Sequence, residues 1–228
     1  MKLDRRLFII LVVMVIASLA CQSVQSTSES SSTTSQESEP QIVQSSVLFE
    51  DDFSDSGSGW DDIEDEEGIT GYRDGGYRIL INKSDWYFWS TPGVNFTDVV
   101  IEVDATKTGG PDNNEFGVMC RYMDADNFYL LTISSDGYYG ISKIVAGEQS
   151  GVGMEEMQFN DTVIKLGAAT NKLRATCIGD NLTLEANGQV LADVRDTDLV
   201  GGDVGVIAST FDEIGVNILF DNFVVTKP

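Results

Sequence analysis

From Val47 to Pro228 apolar residues recur at every second position in short runs, and no stretch sustains an i, i+3, i+4, i+7 stripe over three turns. The pattern predicts strands at Val47–Phe53, Tyr77–Ile81, Trp86–Ser90, Val99–Lys107, Glu115–Tyr122, Phe128–Ile133, Tyr139–Val145, Lys172–Ile178, Leu182–Ala186, Val190–Val194, Val204–Ser209 and Val216–Thr226. Turn formers stand between them, among them Asp74-Gly75-Gly76, Ser135-Asp136-Gly137 and Gly201-Gly202-Asp203. Asn187-Gly188 is the clearest hairpin signal, because a type I′ turn needs positive φ at both central residues. Twelve short strands in about 180 residues predict an all-β, two-sheet antiparallel jelly-roll sandwich over 47–228. Residues 146–171 break the rhythm, and Met154 to Phe159 reads either as a helical turn or as a loop crossing the sandwich.

Alternation separates the faces of individual strands. Val99, Ile101, Val103 and Ala105 form an apolar set, which turns Glu102 and Asp104 the other way. Phe116, Val118, Cys120 and Tyr122 do the same for the next strand, leaving Arg121 outside. If the two strands are neighbours, Glu102, Asp104 and Arg121 share one polar face. In Trp86-Tyr87-Phe88-Trp89 the parity splits the rings into two pairs, one of which must lie outside the core or under a loop. Trp60, Tyr138 and Tyr139 extend this aromatic set. Sugars stack on Trp and Tyr faces while their hydroxyls bond to carboxylates, amides and Arg, which makes Trp86 and Trp89, supported by Tyr138, candidate platforms beside Glu102, Asp104 and Arg121. Packing of the same rings in the sandwich interior is the alternative.

The opening Leu48-Phe49-Glu50-Asp51-Asp52-Phe53 with Ser58-Gly59-Trp60, the central Glu115-Phe116-Gly117-Val118 and Asn127-Phe128-Tyr129, the run Asn171-Lys172-Leu173-Arg174 to Asn187-Gly188, and the closing Leu219-Phe220-Asp221-Asn222-Phe223 form a recognisable series. Together they resemble concanavalin A-like (laminin G-like) jelly rolls, in particular the 3-keto-disaccharide hydrolase-like domains of bacterial lipoproteins. The resemblance implies a saccharide site on a concave sheet face.

The first 46 residues differ in kind. Lys2, Arg5 and Arg6 precede a 14-residue uncharged apolar run, Leu7 to Ala20, which is shorter than the ~20 residues a membrane span needs. Ala17-Ser18-Leu19-Ala20-Cys21 resembles the lipobox of bacterial lipoproteins, with Ser18 where that motif usually has Leu. It predicts a signal peptide over 1–20 and a lipid on Cys21, with an ordinary secretory signal or an uncleaved anchor as alternatives. Residues 22–46 hold ten Ser and three Thr and no Lys, Arg or aromatic residue, the composition of a disordered tether. The expected address is the cell envelope, lipid-anchored and facing the extracytoplasmic side.

Charge and chemistry narrow the function. With 14 Lys+Arg against 37 Asp+Glu, a net charge of −23 disfavours nucleic acid, whose binding depends on cationic side chains. The chain has no histidine, which removes imidazole-based catalysis and His-ligated zinc. Glu102-Val103-Asp104 superficially resembles the E-x-D-x-x-E strand of jelly-roll glucanases but lacks the third acid, so no catalytic residues are assigned. Asp51, Asp52 and Asp221, in the first and last strands, are candidate ligands of a structural calcium ion. Once Cys21 is acylated, Cys120 and Cys177 remain, both on the apolar parity of their strands, and a disulfide between them is expected. The combined reading is a membrane-anchored, non-catalytic module for a glycan or polysaccharide. Glycoside (3-keto-glycoside) hydrolysis and a structural or adhesive envelope role are the rivals.

Overall fold

A computed structural model of the protein describes residues 46–228; the lipobox cysteine Cys21, the signal peptide and nearly all of the tether lie outside the described residues. The described residues contain sixteen strands and no helix: β1 (Val47–Asp51), β2 (Ile63–Glu64), β3 (Gly68–Arg73), β4 (Gly76–Ile81), β5 (Tyr87–Ser90), β6 (Val99–Gly109), β7 (Asn114–Asp124), β8 (Asn127–Ile133), β9 (Tyr138–Val145), β10 (Glu148–Gly151), β11 (Gln158–Phe159), β12 (Thr170–Ile178), β13 (Asn181–Ala186), β14 (Gln189–Arg195), β15 (Asp203–Thr210) and β16 (Val216–Thr226). All twelve expected strands are present. The four additional ones, β2, β3, β10 and β11, are invisible to hydropathy. Two are only two residues long, β3 contains two glycines, and β10 is polar and exposed throughout.

The strands form an antiparallel two-sheet sandwich of jelly-roll type. One sheet has the order β14-β13-β12-β6-β16-β4-β3-β2, with β1 added on β16; the other runs β10-β9-β8-β7-β15-β5, with β11 added on β9. Between them lies a core to which both inner faces contribute alternate residues: Ile101, Val103, Ile218 and Phe220 from the first sheet, Phe116, Val118, Leu131 and Val206 from the second, all essentially inaccessible. At about 25 cal/mol per Å² of apolar surface, each such side chain stabilises the fold by roughly 1.5–3 kcal/mol relative to exposure. Asn187 and Gly188 sit at φ 52° and 81°, so the β13–β14 hairpin turns as the dipeptide predicts. Cys120 of β7 and Cys177 of β12 are disulfide-bonded (S–S 2.05 Å) and link the two sheets through the core.

The segment 154–157 is neither a helical turn nor a crossing. It runs outside the edge of β9, where Val152 N donates to Ile141 O at 2.8 Å before the chain returns as β11. Meanwhile β1 closes the first sheet, and Trp60 fills the space beneath it, edge-on to Phe53 (5.2 Å) and Phe223 (5.0 Å).

Candidate functional site

The outer face of the seven-stranded sheet is unusual in being apolar. Its residues alternate with those of the core: Met119, Phe128, Leu130, Ile144 and Ile207 form a second buried cluster, bordered by Trp89 and Tyr122. Alternation normally leaves such a face polar. Here it floors a cleft of two lobes. The first, about 270 Å³, is lined by Trp86, Tyr87, Leu130, Thr132, Ile207 and Phe211 among others. The second, about 430 Å³, lies between Gly140, Ser142 and the 154–157 segment, and shares Glu115, Gln149 and Phe211 with the first.

Glu115 stands where the lobes meet. Ser209 of β15 is the register partner of Glu115 on β7 and of Tyr87 on β5, which puts an aromatic ring, a hydroxyl and a carboxylate in one row. Thr132 Oγ1 donates to Glu115 Oε1 at 2.5 Å and Ser209 Oγ to Oε2 at 3.3 Å. Burial pushes the Glu115 carboxyl above its ordinary value of 4.5, and the two hydroxyl donors only partly offset this. An uncompensated carboxyl in apolar surroundings accepts further donors readily, and when protonated donates one hydrogen bond itself.

On the aromatic wall, Tyr87 and Trp89 lie 5.5 Å apart, and Trp89 stacks on Phe128 at 6.2 Å. Lys83 Nζ is 3.3 Å from the centre of the Trp86 ring and also 2.7 Å from Glu67, so a cation–π contact and an ion pair fix the indole at the rim. Trp86 and Tyr87 remain 37% and 39% exposed. Within β5 the parity holds, with Phe88 packed on the main core and Tyr87 and Trp89 facing outward. Trp86, expected on the Phe88 side, precedes the strand, stays out of the core and lines the cleft beside Tyr87. Trp89 does not line the first lobe; it borders an adjoining hollow with Ile63, Thr70 and Tyr122, to which Trp86 and Tyr87 also contribute.

The polar half of the expected site does not assemble. The strands carrying it, β6 and β7, belong to different sheets. Glu102 and Asp104 lie on the outer face of the nine-stranded sheet, on the far side of the sandwich from Trp86, and pair with Arg174 (3.5 Å) and Lys172 (3.0 Å). Arg121 is 2% exposed. It sits at φ 54° where the β7–β8 register shifts, and its guanidinium donates to the carbonyls of Leu199 and Gly179, each at 2.7 Å. It is a structural tie. Trp60, also within the expected aromatic set, is core.

Asp51 is an acceptor inside the fold: Phe53 N (2.7 Å) binds one carboxylate oxygen, Ser58 Oγ (2.5 Å) and Trp60 Nε1 (2.9 Å) the other. Asp52 is exposed and accepts from Ser54 N at 3.0 Å. Asp221 accepts from Asn222 N and does not line the hollow that Asp51 and Asp52 share with Glu50, Asp55 and Asn222. Among the described residues no group of three His, Cys, Asp or Glu side chains is arranged to hold a metal ion. The residues missed in the sequence, Glu115, Thr132, Ser209 and Tyr87, carry one signal: Glu115 is in phase with Gly117 and Met119, on the face opposite Phe116 and Val118.

No protein-family model and no curated protein sequence matches the chain. Solved structures do. The carbohydrate binding module CBM66 from Bacillus subtilis superposes with a TM-score of 0.60 at 18% identity, covering 75% of this chain and 96% of that one. A protein of unknown function with a galectin-like fold, also from Bacillus subtilis, gives 0.57 at 10% identity over 80% of this chain and 96% of its own. The GH43 protein BlXynB from Bacillus licheniformis gives 0.58 at 14% identity, over 78% of this chain and 39% of that longer one. At these identities the likeness establishes a shared sandwich fold.

Proposed function

We propose that the domain is a non-catalytic glycan-binding module whose ligand lies in the cleft on the seven-stranded sheet, held on the extracytoplasmic side of a membrane by lipid on Cys21. The observation that carries this reading is the junction of the two lobes, where the Tyr87 ring, the Ser209 hydroxyl and the Glu115 carboxyl share one row. Saccharide recognition needs this combination, an apolar ring face for the C–H surface and directional hydrogen-bonding groups beside it. A carbohydrate binding module with the same fold supports it.

Hydrolysis of a glycoside requires two carboxyl groups about 5–9 Å apart across the scissile bond. The floor carries Glu115, and the other acids bordering the cleft, Asp85, Glu155 and Glu156, are exposed. The test is a glycan array probed with the full-length protein, followed by titration calorimetry and product analysis on each retained glycan. Retention without sugar release is expected, together with a loss of at least tenfold in affinity for Tyr87→Ala. Failure to retain any glycan, or an unaltered Tyr87→Ala variant, refutes the proposal.

A further inference from the structure

Beyond the second lobe the same sheet face carries an exposed aromatic pair. Gly140 lines that lobe, and Tyr138, one same-face step along β9, stands 42% exposed. Phe159, its register partner on β11, is 54% exposed, and the two rings meet edge-on at 5.3 Å. Both lie outside the two apolar clusters. A pair of large rings held against each other in solvent, on the face that carries a cleft, requires an explanation other than folding.

Register ties the pair to the junction. Phe116 is opposite Ile133 and Ile133 opposite Tyr139. One residue back on β7 and β9 and one forward from the end of antiparallel β8, Glu115, Ser134 and Tyr138 fall at one level, and Ser134 N donates to Tyr138 O at 2.7 Å. The row that begins Tyr87, Ser209, Glu115 therefore continues through Tyr138 to Phe159. With neighbouring strands about 4.8 Å apart, Tyr87 and Tyr138 are roughly 19 Å apart along it and Phe159 is a further ~5 Å on. Beside this row, the next one across the sheet reads Ile207, Gly117, Thr132, Gly140. Gly117 and Gly140 carry no side chain in this row, and Met157 and Met154 pack against Gly140 from the 154–157 segment, so that segment walls the face beside the first row.

We infer that the ligand is an extended polysaccharide chain lying across the strands, with one segment at Tyr87 and Glu115 and a more distant segment on the Tyr138–Phe159 platform. This rests on the cleft being the glycan site and deepens it: the module recognises the interior of a chain several rings long and not a terminal sugar.

The experiment measures affinity against ligand length. Gluco-, xylo-, galacto- and fructo-oligosaccharide ladders, from monosaccharide to hexasaccharide, are titrated into the full-length protein, its Tyr87→Ala variant and a Tyr138→Ala/Phe159→Ala double variant. For the ladder that binds, affinity should rise beyond the disaccharide. The double variant should lose about fivefold to tenfold on the hexasaccharide and less than twofold on the disaccharide, the size of one or two ring contacts. Tyr87→Ala should weaken both lengths. The platform rings are exposed, so the double variant should keep its melting temperature, and circular dichroism checks this. Equal affinity for disaccharide and hexasaccharide, or a double variant that binds the hexasaccharide like wild type, overturns the extended-chain inference and leaves the glycan site standing. Binding of no ladder overturns the inference, and retention of no glycan on the array overturns the proposed site as well. Self-association abolished by the double substitution, with hexasaccharide binding intact, assigns the pair to a protein interface and also overturns the inference.

Discussion

The indole Nε1 of Trp60 donates to Asp51 Oδ2 at 2.9 Å, and this bond joins the end of β1 to the aromatic packing under the nine-stranded sheet. The same carboxylate accepts from Ser58 and from the backbone of Phe53. Asp51→Ala would leave buried donors without an acceptor, each costing about 1–3 kcal/mol. A loss of roughly 2–4 kcal/mol in urea unfolding is expected, with affinity in the cleft unchanged. A variant as stable as wild type would show that β1 is not held by this bond.

Reduction should be costly and slow. The disulfide spans 57 residues, and loop-closure entropy over that length corresponds to about 4 kcal/mol. Cys120 and Cys177 are both completely buried, so reductant reaches them only through unfolding. Cys120→Ala/Cys177→Ala should melt about 10 °C lower, at roughly 2–4 °C per kcal/mol for a domain of this size. Ellman titration of the folded wild type should find neither thiol.

Two carboxyls should give stability opposite dependences on pH. Glu115 titrates above its ordinary 4.5 because of burial, so the folded state holds a proton that the unfolded state has lost, and this contribution declines as pH rises above about 4.5. Glu115→Gln should therefore melt higher than wild type at pH 7, with the gain closing by pH 4.5 while glycan affinity falls. At Asp196 burial pushes the carboxyl up, but hydrogen bonds from Lys143 and Tyr129, each 2.5 Å, outweigh it and hold the group below 3.8. Its stabilisation is present above pH 3.8 and lost as pH falls below it. Asp196→Asn should melt lower than wild type at pH 7 and match it in stronger acid. Parallel curves for variant and wild type would contradict either assignment.

Arg121→Ala removes the donors to two carbonyls and should cost about 2–4 kcal/mol. Arg121→Lys should recover little, because one ammonium lacks the planar fork that reaches both. Calorimetry separates this from a role in binding: a ligand residue would lower affinity at constant melting temperature, and Arg121 should do the reverse.

How far the sequence reaches follows from the range of each signal. Alternation is local, and it located the twelve main strands, the two directions of Phe88 and Trp89, and the shared core of Cys120 and Cys177. Sheet membership is not local. Nothing in Val99–Lys107 or Glu115–Tyr122 says that they lie in different sheets, so a shared face for Glu102 and Arg121 follows only on the condition that the two strands are neighbours, which the sheet order does not meet. Arg121 misleads for a second reason, since a residue at φ 54° in a strand departs from strict alternation. Phase with Gly117 and Met119 shows which way Glu115 points, but the apolar face that surrounds its carboxyl forms only when five strands of the seven-stranded sheet lie side by side.

The pairing of β1 with β16 also makes the domain nearly cyclic. Val47 is opposite Thr226, and Lys227 N donates to Ser46 O at 2.8 Å, so the ends of the folded unit already touch. A few Gly and Ser residues joining them, with new termini opened at the exposed Asp74-Gly75 turn, should yield a circularly permuted domain with the same cleft. The order in which the strands are written is therefore separable from the surface they build, and a partner protein could be fused at Asp74 or at residue 228.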